Sequence, residues 1–317
     1  MKKLFFPLLI LGCISATTSC KKEIAVNHNP LNSISTKSFD NEIVADSTRF
    51  GALICTGTTA DKIVVMNKLN VKYARVSVIL TEFTGRNDVI EKCIAAGIKV
   101  IANLNYQSVQ TVDGVKVPNP FPTDMVAYRA ALTAVLDKYA SQIEVAVIEN
   151  EPTTASFHSG PIEDYITMLG VAINVCHSKG VKVADGSINV QYVQRIMDGS
   201  RLFGTAIKVQ KLITAYTTLP LDFVNVHTQG TGSSYPDGLL QSVANYLRTT
   251  TGHPVMSNEW HLESDDTSLV KSMVKGWKEG GYVYSLIYGG GGKSDATAIN
   301  SGTDLLPNGI TYKNSIQ

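Results

Sequence analysis

The chain has 317 residues, of which 44% are hydrophobic and 17% charged, with a formal net charge of +1 at pH 7. That balance provides no basic surface for nucleic acid and no polybasic stripe for a membrane, so partners are expected to be neutral molecules.

At the N-terminus, Lys2 and Lys3 precede an apolar stretch, Leu4–Leu11, too short to span a bilayer, and small or polar residues follow up to Cys20. This is the pattern of an export signal. The segment Thr17-Thr18-Ser19-Cys20 resembles the processing site of bacterial lipoproteins. The resemblance implies a signal peptide over residues 1–19, lipidation at Cys20, and a protein held at the bacterial cell envelope by its lipid alone. Cys13, after Ile10-Leu11-Gly12, is a second candidate by residue type, and a plain secretory signal is a third reading. Residues 20–45 are polar, rich in Ser and Asn and without periodicity, as a tether would be. Residues 46–317 match the size of one (β/α)8 barrel.

Through that span, apolar runs of strand length alternate with amphipathic stretches of helix length. Strands are predicted at Phe50–Cys55, Tyr73–Val78, Lys99–Leu104, Glu144–Ile148, Lys182–Asp185, Phe223–Val226, Val255–Ser257 and Tyr282–Ile287. Helices are predicted at Ala60–Leu69, Asn87–Ala96, Thr123–Tyr139, Ile162–Ser178, Gly238–Thr249 and Thr267–Lys278, with one or two more between Gln191 and Thr214. Gly97, Gly180, Gly252 and Gly280 follow helical patterns where left-handed C-caps are wanted. The fold class is therefore α/β, a single (β/α)8 TIM barrel whose last helix is reduced to Thr311–Gln317; an open doubly wound sheet is the second reading. Cys55, Cys93 and Cys176 lie in apolar elements without a C-x-x-C pair and read as buried small hydrophobes.

Two carboxylates then stand out. Asn150-Glu151-Pro152 follows the fourth run and Asn258-Glu259-Trp260-His261 the seventh, so each Glu falls at the C-terminal end of a strand, where the active sites of such barrels are built. A pair of carboxyls is what glycoside hydrolysis needs, one protonated to help the leaving group and one ionised. On these residues the chain resembles the clan of retaining glycosidases on (β/α)8 barrels; the family within it is not identified. The resemblance implies that Glu151 is the acid/base, Glu259 the nucleophile, Arg75 the cation holding the nucleophile, Asn150 a ligand of the sugar 2-hydroxyl and His227 a residue of the site. It implies a carbohydrate substrate, no cofactor and a monomer. Thr228 and Gln229 stand where the clan commonly has a Tyr, and Tyr284 and Tyr288 where it often has a Trp. Those departures motivate a second reading, a carbohydrate-binding lipoprotein without catalysis.

Trp260 could stack on a sugar face or pack beneath the loop. Asn103, Asn105 and Tyr288 are further sugar-ligand candidates, while Glu149 could face inward or form an ion pair. His158, His177, His253 and His261 have no metal-ligand spacing, so no metal site is expected. Gly289–Gly292 reads as a rim loop.

Overall fold

A computed structural model describes residues 48–112, 115–228, 238–262, 264–290 and 297–317. The export signal, Cys20, Cys13, the tether and Gln229 lie outside the described residues. The strands are β1 (Arg49–Leu53), β2 (Tyr73–Ile79), β3 (Lys99–Asn105), β4 (Ile143–Ile148), β5 (Lys182–Asp185), β6 (Val224–Thr228), β7 (Val255–Trp260) and β8 (Tyr284–Tyr288). Between them run α1 (Thr59–Leu69), α2 (Asp88–Ala95), α3 (Met125–Tyr139), α4 (Ile162–Ser178), α5 (Val190–Met197), α6 (Thr205–Tyr216), α7 (Leu239–Thr251), α8 (Thr267–Glu279) and, after β8, α9 (Pro307–Ile316). Side chains at the helix starts account for several boundaries: Thr58 and Asp61 form a capping box on α1, and Asn87, Asp124 and Asp266 accept from first-turn amides of α2, α3 and α8.

Neighbouring strands are parallel from β1 through β5 and from β6 through β8 back to β1. The cylinder closes where Ala184 bridges Phe223 and the two-residue continuation Ile188–Asn189 pairs with Val226 and His227 of β6. The expected barrel is present, and the fifth stave is broken at Gly186-Ser187, where Ser187 has φ 88.

The core has two parts. Ile101, Val145, Val147, Ala184, Phe223, Met256, Tyr284 and Leu286 fill the cylinder, and a larger cluster lies between strands and helices. At the N-terminal end Tyr284 accepts from Arg49 (2.7 Å) and donates to Glu144 (2.7 Å), which also takes Lys99 (2.9 Å). Tyr284 thus plugs the bottom of the barrel and does not take part in the mouth.

Three sequence expectations need correction. The last helix is not reduced: α9 has ten residues and starts with Pro307 at its first turn, where a missing N–H costs nothing. Its Tyr312 donates to Gly51 O (2.7 Å) and meets Phe50 and Trp260 edge-on. Gly280 is right-handed and its neighbour Gly281 (φ 62) makes the turn; glycine at 280 is required for space, since a Cβ there would stand 2.6 Å from the Tyr282 ring. Cys55 is exposed at the rim, unlike the buried Cys93 and Cys176. If α9 is a true barrel element, Tyr312→Ala should cost about 3–5 kcal/mol of unfolding free energy in a urea titration; a loss below about 1 kcal/mol would show that the helix is an appendage.

Candidate active site

The mouth is assembled from distortions at the ends of β4 and β7. After Ile148 the chain takes left-handed values at Glu149 (φ 67) and Glu151 (φ 47), each costly for a residue with a Cβ. Four donors hold the carbonyls of this turn. Tyr165 donates to Ile148 O (3.0 Å), Asn103 to Glu149 O (3.2 Å), His158 Nε2 to Asn150 O (2.9 Å) and the Thr154 amide to Glu151 O (2.9 Å). The Glu151 amide donates to Gly186 O (2.7 Å), and a Cβ at Gly186 would lie 2.5 Å from Ile148 O, so only glycine lets β5 approach the turn this closely.

The turn separates the two acidic side chains. Glu149 points behind the barrel, where it is buried, accepts from the Tyr106 amide (2.7 Å) and is pushed by burial up to about 8. Glu151 points to the mouth, where its Oε1 lies 3.0 Å from His227 Nδ1 and its Oε2 accepts from Thr154 (3.1 Å). Burial drives Glu151 upward, but the contacts with His227 and Thr154 and the charge of Arg75 outweigh it and hold the carboxyl below its ordinary range. An acid held by burial alone would have been raised.

On β7 the register with both neighbours shifts between Met256 and Trp260, leaving one extra residue. This bulge brings Asn258 and Glu259 to the same side in succession, with Glu259 opposite His227 and Trp260 opposite Ile287. Glu259 bonds Arg75 Nη1 through Oε2, and its Oε1 is 2.6 Å from His261 Nε2. The same guanidinium donates from Nη2 to Asn150 Oδ1 (2.7 Å), tying β2, β4 and β7 at one point. Desolvation lowers Arg75 to about 10, so it remains a cation at neutral pH.

Beneath these groups lies a row of buried amides. Asn225 Oδ1 accepts from the Asn258 backbone amide (3.0 Å), and its Nδ2 donates to Asn258 Oδ1 (2.8 Å). Asn258 Nδ2 donates to Asn103 Oδ1 (3.2 Å), and His227 Nε2 lies 2.7 Å from Asn258 Oδ1. Asp185, raised by burial to about 7, accepts from the Asn225 amide (2.6 Å) and from Tyr216 (3.0 Å).

Of the residues singled out in the sequence, Glu151, Glu259, Asn150, Arg75 and His227 therefore meet in one hydrogen-bonded constellation. Asn105 ends β3 and accepts from Asn103 (3.0 Å); Tyr288 ends β8 and stacks on His261, ring centroids 4.2 Å apart. Trp260 is the correction: it is fully buried on the outer face of β7 against Trp277 and Tyr312, so it cannot stack on a ligand in the mouth. Three residues were passed over. His261 binds Glu259, while Asn225 and Asn258 link the strands below. Their signal was an amide at an inward position of each of two neighbouring apolar strands. Among the described residues no cluster of His, Cys, Asp or Glu could hold a metal ion.

No family model and no curated protein matches the sequence. Solved structures do. A family GH128 (subgroup I) endo-β-1,3-glucanase from Amycolatopsis mediterranei, a variant in complex with laminarihexaose, aligns with TM-score 0.54 and 13% identity over 84% of this chain and 99% of that one. A GH128 (subgroup II) endo-β-1,3-glucanase from Pseudomonas viridiflava gives 0.54 and 13% over 84% and 97%, and a β-glycosidase gives 0.57 and 12% over 81% and 85%. The fold is the (β/α)8 barrel that these solved structures share. At such identities the likeness speaks for architecture, and function has to be argued from the residues.

Because Glu149 is raised in the folded state, it binds a proton that the unfolded chain has lost between about pH 4.5 and 8, and stability falls as pH rises through that window. Glu149→Gln keeps the acceptor for Tyr106 and removes the titration. Urea unfolding should show the variant equal to the parent near pH 4 and more stable, on the order of 5 kcal/mol, at pH 9; parallel pH curves would refute the assignment.

Proposed function

We propose that the protein is a retaining glycoside hydrolase acting on a poly- or oligosaccharide outside the cytoplasm. The reading is carried by the Arg75 bridge: one buried cation binds Glu259 and the neighbour of Glu151, which presents two carboxyls to a common mouth with different partners. The named solved structures support glucans with β-1,3 linkages as the first substrates to try.

In the first step Glu259 Oε attacks the anomeric carbon and forms a C–O bond while the glycosidic C–O bond breaks. Its electron pair stays on the leaving oxygen, which takes the proton of Glu151. In the second step a water oxygen displaces Glu259 from the anomeric carbon and gives a proton to Glu151, restoring both groups. Arg75 and His261 keep Glu259 anionic between turnovers. In this reading Asn150, fixed by Arg75, bonds the sugar 2-hydroxyl, and Asn105 and Tyr288 make further sugar contacts. Lipidation of Cys20, with a monomeric barrel held at the envelope surface by that anchor, completes the proposal. No cofactor is needed for this chemistry.

Glu259→Ala should lower hydrolysis of laminari-oligosaccharides or of an aryl β-glycoside at least about 10³-fold. Azide should restore turnover as a glycosyl azide of inverted anomeric configuration. Unchanged activity would end the proposal, and a first-formed product of inverted configuration from the parent enzyme would replace retention by inversion. Cys20→Ser should move the protein from the membrane fraction to the soluble fraction of producing cells; continued sedimentation with membranes would exclude that anchor.

A further inference from the structure

The row of amides beneath the mouth decides where the protons of the site can sit. Asn225 accepts from the Asn258 backbone N–H, a group that can only donate, so its Oδ1 and Nδ2 are assigned without choice. Its Nδ2 then donates to Asn258 Oδ1. From the other side, Asn103 Nδ2 donates to Glu149 O, a group that can only accept, so Asn103 Oδ1 must accept from Asn258 Nδ2. Two independent backbone groups thus orient Asn258 the same way, with its oxygen toward His227. His227 Nε2, 2.7 Å from that oxygen, must carry hydrogen.

With Nε2 protonated, only two arrangements satisfy the 3.0 Å contact between His227 Nδ1 and Glu151 Oε1. Either Glu151 is a neutral acid donating to a bare Nδ1, or Glu151 is a carboxylate accepting from an imidazolium. Each contains one proton between the two residues. Removing it would set a lone pair against a buried carboxylate. At Glu151 burial raises the carboxyl, and the contact with His227 is the largest influence opposing it. At His227 burial lowers the imidazole, and the contact with Glu151 is the largest influence opposing it.

We infer that Asn258 is the positioning residue of the acid/base: by fixing His227 as the Nε2–H form, it makes Glu151 and His227 Nδ1 joint holders of the one proton that the leaving oxygen receives. The inference rests on the hydrolase reading for its consequence, and on hydrogen-bond geometry alone for the tautomer. Replacing Asn258 by Leu frees His227 to carry its hydrogen on Nδ1 while neutral, so Glu151 can ionise with no stored proton. Replacing it by Asp keeps an acceptor and favours the imidazolium.

The test has two arms. Imidazole ¹⁵N spectra of the full protein should show His227 with hydrogen on Nε2 across neutral pH; a bare Nε2 would overturn the inference whatever the enzyme does. In the second arm, kcat/KM is followed against pH with an oligosaccharide and with a dinitrophenyl glycoside whose leaving group needs no acid. Asn258→Leu should lose about tenfold or more on the oligosaccharide and far less on the activated substrate, with its alkaline limb moved to lower pH. Asn258→Asp should move that limb to higher pH. Equal losses on both substrates with an unshifted profile would overturn the positioning role. A parent protein inactive on every glycan, with Nε2 protonated, would refute the hydrolase reading and leave the tautomer assignment standing.

Discussion

A guanidinium removed from water must find an anion, and the mouth of this barrel is organised around that need. Arg75 is 5% exposed, and its terminal nitrogens reach Glu259 on one side and Asn150 on the other. Losing one partner of a buried pair costs about 3–5 kcal/mol, because the other is left charged and unpaired. Strands β2, β4 and β7 therefore cannot move independently at this level. The bulge in β7 and the left-handed turn after β4 are the backbone distortions that bring the two partners within reach of one side chain.

The two carboxylates at the mouth are made unequal by their neighbours. Glu259 receives a permanent cation and an imidazole, which favour the anion. Glu151 has an imidazole and a hydroxyl, with the cation one residue away. In the proposed reaction this difference lets one carboxyl attack while the other handles a proton, and it arises from which strand each neighbour occupies. Glu149, two residues from Glu151, shares none of it, since the left-handed backbone on either side of Asn150 sends it behind the sheet.

Alternation of apolar runs with helical periods is enough to find all eight barrel strands and to put Glu151 and Glu259 at strand ends, because burial on both faces of a parallel strand leaves an uninterrupted apolar signature, whereas Arg75, Asn150 and His227 come from the resemblance to the glycosidase clan. Boundaries at the active ends were less legible. The prediction stopped β7 at Ser257, whereas pairing continues to Trp260 through a bulge that no period-two pattern anticipates. Of the two readings of Trp260, stacking on a sugar fails for the same reason: one inserted residue exchanges the faces of everything after it. The final helix escaped because Pro307, Asn308 and Gly309 look like a loop, although proline in a first turn is a start signal. His261 was set aside for lacking metal spacing, while its contact with Glu259 depends on the path of the chain after the bulge.

The plug at the opposite end of the cylinder has a kinetic consequence for the proposed reaction. Tyr284, with Tyr73 and Phe223 against its ring and Arg49, Glu144 and Lys99 around its hydroxyl, closes the lower rim, and Ile101, Val145, Val147, Met256 and Leu286 fill the bore above it. Among the described residues the bore is filled from its lower end up to the mouth. In the proposed reaction, water for the glycosyl intermediate then enters from the mouth, the end at which the saccharide leaves. Whatever lingers at that doorway competes with water as acceptor, and crowding by saccharide would divert the intermediate from cleavage toward chain transfer.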